Sequence, residues 1–351
     1  MPALMFTVRC TRRAFPLVVL SIALLGPAYA WVASADMSSP SPGDPATQAD
    51  QSAIAGSASA VRDLPDSSII EQTIVEALTA TSLPPQPARL AVPGDDRAGC
   101  TTDYLETSAL GCVHGDPNGT RTVVLWGDSH AWMWLPAFDA IGRDSQMQIV
   151  EFSKSSCGPQ DMRIWLERLR RAYKECDEFN RFVEGRIEAL HPDVVVLTGG
   201  AKGVRLVEGD HGTAQGVEDA WATGMASTIR AVAPYAGQTI VLGDIAYPAP
   251  EPADCLSAHA NDPHACDTPR SGAIDENGNP AGVFDDHNQR EQQVSEQNGA
   301  RYVSVTRWLC TESVCPAVIG GLAVYRDYFH VSPNYAYWLS NALGTAMGLL
   351  R

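Results

Sequence analysis

The stretch Thr122-Val123-Val124-Leu125-Trp126-Gly127-Asp128-Ser129-His130 decides how this chain folds. A run of β-branched, aliphatic and aromatic residues of that length reads as a strand buried on both faces, as in a parallel sheet. Gly127 permits a sharp turn, and residues 131–141 read as a helix. Ser129 therefore stands where strand gives way to helix, at the carboxyl edge of a sheet, where open α/β folds bind ligands. Backbone amides near the helix start can stabilise an oxyanion there.

A serine in this position needs a base, and Asp327-Tyr328-Phe329-His330 supplies one about two hundred residues later. An Asp three residues before a His can accept a hydrogen bond from the imidazole. That fixes the tautomer and leaves the other ring nitrogen free to take a serine proton. Ser129 is then the nucleophile, His330 the general acid/base and Asp327 the orienting carboxylate. The competing reading makes Ser129 a helix-capping residue, with Asp327 and His330 a surface pair.

These motifs resemble those of SGNH (GDSL-type) hydrolase domains, in the version fused to membrane acyltransferases that O-acylate cell-surface glycans. The resemblance covers residues 99–351. It rests on Gly127-Asp128-Ser129-His130, Lys154-Ser155-Ser156-Cys157-Gly158-Pro159, Asp193-Val194-Val195-Val196-Leu197, Cys310 with Cys315, and Asp327 with His330. It implies a three-layer α/β fold with a mainly parallel sheet of about five strands flanked by helices. It also implies the same roles for Ser129, His330 and Asp327, no cofactor and no metal. The implied partners are an acyl donor, a cell-surface glycan acceptor and a membrane acyltransferase; nucleic acid is not among them. The sequence departs from the family pattern after the third strand, where Gly-x-Asn-Asp is usual and the Asn helps to form the oxyanion hole. Here Thr198-Gly199-Gly200-Ala201-Lys202 offers no Asn. The remaining oxyanion candidates are the amides of Ser129, of Ser155 or Ser156, and of Gly200.

Outside this core, Arg9, Arg12 and Arg13 precede the apolar residues 14–25, and Ala28-Tyr29-Ala30 resembles a signal-peptidase site. Residues 1–30 thus read as a signal peptide, or as a signal anchor if left uncleaved. Residues 31–98, rich in Ala, Ser, Pro, Asp and Gln, read as a flexible linker, with a short amphipathic helix over 68–80. The expected location is extracytoplasmic, secreted or membrane-anchored. The formal net charge of −16 argues against nucleic acid or an anionic membrane surface as partner.

Of nine cysteines, Cys10 falls in the targeting segment and eight remain. An even number in an oxidising compartment argues for disulfides. Short loops and the family likeness favour Cys100–Cys112, Cys157–Cys176, Cys255–Cys266 and Cys310–Cys315. A zinc site from Cys255, His259, His264 and Cys266 is the rival for the third pair.

Alternating elements support the parallel sheet. Strands are expected over 122–126, 148–152, 193–197, 239–243 and 302–305. Helices are expected over 131–141, 163–190 (one or two), 215–232, 282–298 and 334–350. The irregular insertion 248–280 is either a gating loop or a stapled excursion. Trp132 and Trp134 are either a sugar platform or core, Asp244 is a rival acid, and His130 and Asp128 read as local braces. The resemblance favours an O-acyltransferase acting on cell-envelope glycans through an acyl-Ser129 intermediate; the alternatives are a carbohydrate esterase of the same family and a catalytically impaired glycan-binding or assembly module.

Overall fold

The computed structural model describes residues 61–79, 102–207 and 212–350. The chain divides into two units, Met1–Ser57 and Ala58–Arg351, and all described residues belong to the second. The expected signal segment and Cys100 lie outside the described residues, as does most of the expected linker.

The fold is α/β, built on a six-stranded sheet of β1 (Cys112–Gly115), β2 (Arg121–Gly127), β3 (Met147–Ser153), β4 (Val194–Thr198), β5 (Gln238–Leu242) and β6 (Arg301–Val303). Their spatial order is β1-β3-β2-β4-β5-β6. All neighbours run parallel except β1, which pairs antiparallel with β3. The sheet thus has one strand more than the expected five, and the addition is this short edge strand.

Alternate residues of each central strand enter two different apolar layers. Val123, Leu125, Val194, Val196, Ile240 and Leu242 face one; Val124, Trp126, Val195, Leu197 and Val241 face the other. The first layer is covered by α1 (Ser67–Ala77), α2 (Ser129–Asp144), α6 (Pro333–Trp338) and α7 (Ser340–Met347). The second is covered by α3 (Lys174–Leu190) and α4 (Ala214–Val232), with Val294 of α5 (Asp285–Gln297) beside it. Because both faces are packed, the central strands carry no polar alternation.

Other expectations change as well. Residues 61–79 fall inside the segment read as a flexible linker, yet they are docked. Ile70 and Ile74 of α1 are buried, Trp308 Nε1 donates to Ser67 Oγ at 2.8 Å, and Asn341 Nδ2 donates to the Leu64 carbonyl at 2.8 Å. The closing helix is broken in two at Leu339. Within 163–190, only α3 is helical; a small hairpin of Trp165–Leu166 with Arg171–Ala172 precedes it. Among the described residues, no helix is long and apolar enough to cross a membrane.

Three of the expected disulfides are formed: Cys157–Cys176, Cys255–Cys266 and Cys310–Cys315. Cys112 is also disulfide-bonded, but its expected partner lies outside the described residues. In the insertion, His259 Nδ1 stands 3.7 Å from Cys255 Sγ, whereas His264 turns away to Asp267 at 2.8 Å. The two sulfurs of the suggested zinc set are joined to each other, so neither is a thiolate ligand.

The turn into α2 depends on glycine at 127. A Cβ there would stand 2.1 Å from the Thr198 carbonyl oxygen of the adjoining strand. Backbone cannot give way as a flexible side chain can, so Gly127→Ala should cost about 3 kcal/mol. A thermal melt should show a drop of several degrees; an unchanged melting temperature would refute this close approach.

Candidate active site

The carboxyl ends of β2 and β4 and the loop after β3 surround one cleft of about 560 Å³. Asp128 caps α2, accepting from the His130 amide at 2.7 Å. Its second oxygen accepts from the Gly200 amide at 2.9 Å, tying the helix start to the end of β4. Ser129 follows as the first helical residue, so its own N–H has no intrahelical acceptor.

His330 arrives from a hairpin in which Tyr325–Asp327 pairs with His330–Val331. Asp327 Oδ1 accepts from the Phe329 amide at 2.8 Å, which tightens the turn. The same carboxylate lies 2.7 and 2.9 Å from His330 Nδ1, and His330 Nε2 lies 2.8 Å from Ser129 Oγ. The three side chains therefore stand in one hydrogen-bonded line. With Nδ1 facing a carboxylate, its proton is fixed there, and Nε2 is left as an acceptor toward the hydroxyl. Arg326 Nε donates to Asp327 Oδ2 at 3.0 Å, while its guanidinium covers the Trp132 ring at 4.5 Å. Partial burial alone would raise the Asp327 carboxyl. His330, the Phe329 amide and Arg326 outweigh that and hold it well below the usual range.

The residues around this line take distinct positions. Buried His130 is 3.3 Å from Asp244, off the line of a hydrogen bond but at ion-pair distance. Burial opposes both charges, yet their attraction prevails, with His130 above its ordinary value and Asp244 below. Asp244 also accepts from Tyr247 Oη at 2.7 Å and from the Ala201 amide at 3.1 Å. It thus braces His130 and the loop after β4, and its contacts are not with His330. A Cβ at Gly200 would stand 2.7 Å from His130 Nε2, so this packing also requires glycine. Trp134 is fully buried in the core and cannot be a sugar platform, whereas Trp132 is half-buried beside His330.

The oxyanion candidates separate as well. The Gly200 amide is already given to Asp128, so it is not available to a ligand. Ser156 lines the cleft with a left-handed backbone, φ 56°, a conformation sparsely used outside glycine. The loop carrying it is held by the Cys157–Cys176 disulfide and by Asn180 Nδ2 donating to the Gly158 carbonyl at 2.9 Å. Buried Lys154 anchors its start through the carbonyls of Asp103 and Glu106.

Trp221 lines the cleft, and its Nε1 donates to buried Glu291 at 2.9 Å. Nearby, His287 Nδ1 meets Glu218 at 2.9 Å. Burial pushes Glu291 up to about 7. Burial works to lower His287, but the bond to Glu218 and the neighbouring carboxylates raise it to about 9. Both groups bind protons more tightly folded than unfolded. The His287 contribution is full below its ordinary 6.5 and lost as pH rises through about 9. Glu291 acts in the same direction between its ordinary 4.5 and about 7. The melting temperature should therefore fall across these windows, and Glu291→Gln should flatten the lower one. A melting temperature that rises with pH through both would contradict this cluster.

The family described as "SGNH domain (fused to AT3 domains)" has a model that matches residues 99–344. Among solved structures, the chain is similar to the periplasmic domain of a lipopolysaccharide acetyltransferase from Salmonella ser. Paratyphi A, with 19% identity and a TM-score of 0.48 over 66% of this chain and 84% of that one. It is also similar to an acetylxylan esterase from Geobacillus stearothermophilus, with 13% identity and a TM-score of 0.37 over 67% of this chain and 98% of that one. A GDSL-like lipase from Bacteroides thetaiotaomicron VPI-5482 gives 12% identity and a TM-score of 0.37 over 65% and 88%. No curated protein sequence matches the chain.

Proposed function

Because the chain belongs to the family of SGNH domains fused to AT3 domains, we propose that it transfers acyl groups through a covalent acyl-Ser129 intermediate, onto hydroxyls of cell-envelope glycans. The observation that carries this reading is the line from Asp327 through His330 to Ser129 Oγ, ending in an open cleft. Ser129 Oγ attacks the acyl carbonyl carbon while its proton passes to His330 Nε2. Asp327 stabilises the resulting imidazolium. The tetrahedral intermediate collapses, and His330 returns the proton to the departing oxygen. A glycan hydroxyl then repeats the sequence on the acyl-enzyme, with His330 again accepting and returning one proton.

The family's association with AT3 domains supports a membrane acyltransferase as the source of the acyl group. Three disulfides support a location outside the cytoplasm. Water in place of the glycan hydroxyl makes the same machinery an esterase. The test is the partitioning of an acetyl group from p-nitrophenyl acetate between water and added cell-wall oligosaccharide. Acetylated sugar that increases with acceptor concentration supports transfer. Free acetate alone, at an unchanged rate, identifies an esterase. No acyl-enzyme at all leaves a binding module.

A further inference from the structure

We propose that Gln160 is a catalytic residue, its carboxamide donating a hydrogen bond to the oxyanion formed when Ser129 attacks. This rests on the reading of Ser129 as nucleophile. The chemistry demands donors where the carbonyl oxygen gains charge, and amide groups are well suited to it. Strand β4 ends at Thr198, whose side chain does not line the cleft; Gly199 and Gly200 after it bring no side chain, and the Gly200 amide is committed to Asp128.

Among the described side chains lining the cleft, three buried nitrogens make no hydrogen bond: His130 Nδ1, Lys202 Nζ and Gln160 Nε2. The first two face carboxylates, Asp244 at 3.3 Å and Asp275 at 2.9 Å. Gln160 Nε2 has no such partner, although the residue is only 4% exposed. A buried donor left without an acceptor is costly, and such groups call for an explanation. An oxygen that becomes negative during the reaction is one.

The position of the carboxamide is built. It lies between two glycines: a Cβ on Gly199 would stand 3.0 Å from Gln160 Nε2, and one on Gly158 would stand 2.1 Å from Gln160 Oε1. That same Gly199 Cβ would stand 3.6 Å from Asp128 Oδ2, beside the turn that presents Ser129, and Ser129 and Gln160 line one cleft. Side chains at either glycine would displace the carboxamide. Both neighbours of Gln160 are held by α4: Thr228 Oγ1 donates to the Pro159 carbonyl at 2.6 Å, and Ser227 Oγ donates to the Asp161 carboxylate at 3.0 Å. The Cys157–Cys176 bridge fixes the approach to Gln160. A donor held this firmly needs little reorganisation at the moment of attack. In the reaction, the Ser129 oxygen bonds to the carbonyl carbon and the carbonyl π electrons move to its oxygen. That oxygen accepts hydrogen bonds from the Ser129 amide and from Gln160 Nε2. Both are released when the carbonyl re-forms and the leaving oxygen departs with the proton from His330.

The test uses the full chain and p-nitrophenyl acetate, with thermal melts run alongside. Gln160→Met keeps the volume and removes the donor; kcat should fall about 100- to 1,000-fold with KM changed only a few-fold. Phosphonylation of Ser129 by a fluorophosphonate, whose P=O oxygen uses the same donors, should slow in parallel. Gln160→Glu keeps the shape but sets a carboxylate against the oxyanion. Its kcat should be at least as low at pH 8 and should recover as the carboxyl is protonated at lower pH. If Gln160→Met does not fold, the Glu variant decides. Wild-type kcat in a folded Gln160→Met, or in Gln160→Glu at pH 8, overturns the proposal provided Ser129→Ala is inactive. If Ser129→Ala keeps full activity, it is the nucleophile reading that falls.

Discussion

Replacing Ser129 by alanine should lower p-nitrophenyl acetate turnover by roughly 10⁴- to 10⁶-fold while leaving the melting temperature unchanged. The asymmetry follows from what the hydroxyl does in the fold. It lies 2.8 Å from His330 Nε2, while helix α2 is capped by Asp128 and buried through Trp134, Phe138 and Ile141. Removing it therefore subtracts chemistry and almost no packing. His330→Ala should bring a loss of similar size, and the double variant should lose little more than either single one, because residues that act as a unit are not additive. Multiplicative losses in the double variant would show that the two act independently, and unaltered turnover in Ser129→Ala would remove the nucleophile altogether.

Asp327→Asn should reduce kcat by roughly 10⁴-fold with little change in substrate binding. The carboxylate accepts from His330 Nδ1, the Phe329 amide and Arg326 Nε. A carboxamide can present its NH₂ to His330 Nδ1, moving the ring proton to Nε2, where it blocks deprotonation of Ser129. The depressed pKa of Asp327 adds a test on stability. Its bonds stabilise the fold at pH values above the unfolded carboxyl's pKa, and that contribution is lost as acid approaches the lower folded value. Asp327→Asn should accordingly melt with a weaker dependence on acid than the parent. An equal slope in both proteins, or full activity in the variant, would argue against the orienting role.

The parts of the fold visible in the sequence are those where local pattern and tertiary burial agree. The runs 123–126 and 194–197 are apolar throughout because the sheet is covered on both sides, and they belong to β2 and β4. Ser129, Asp327 and His330 were legible because a strand-to-helix turn and a three-residue spacing each impose a geometry. Strand β1, with Cys112-Val113-His114-Gly115, has too little periodicity to declare itself and exists through its pairing with β3. The docking of α1 rests on two isoleucines in an otherwise linker-like composition. Trp134 and Trp132 look alike in sequence, and only the rotation of α2 buries the first and leaves the second half-exposed. Gln160 gave no signal at all. Its position arises from a bridged loop crossing the sheet edge between two glycines, a juxtaposition that no spacing rule encodes.

The hydrogen bond between Ser129 and His330 joins positions 201 residues apart in the chain. During synthesis, which proceeds from the N-terminus at about 5–20 residues per second, Ser129 emerges at least about ten seconds before His330. Until the later hairpin folds back onto the start of α2, the hydroxyl lacks its hydrogen-bond partner at His330 Nε2. On the proposed mechanism, enzymatic competence is thus among the last properties the polypeptide acquires, gated by the closure of its most distant contacts, the slow class of folding events. Recovery of turnover after dilution from denaturant should lag behind recovery of helical signal, making the reaction itself a clock for the final stage of folding.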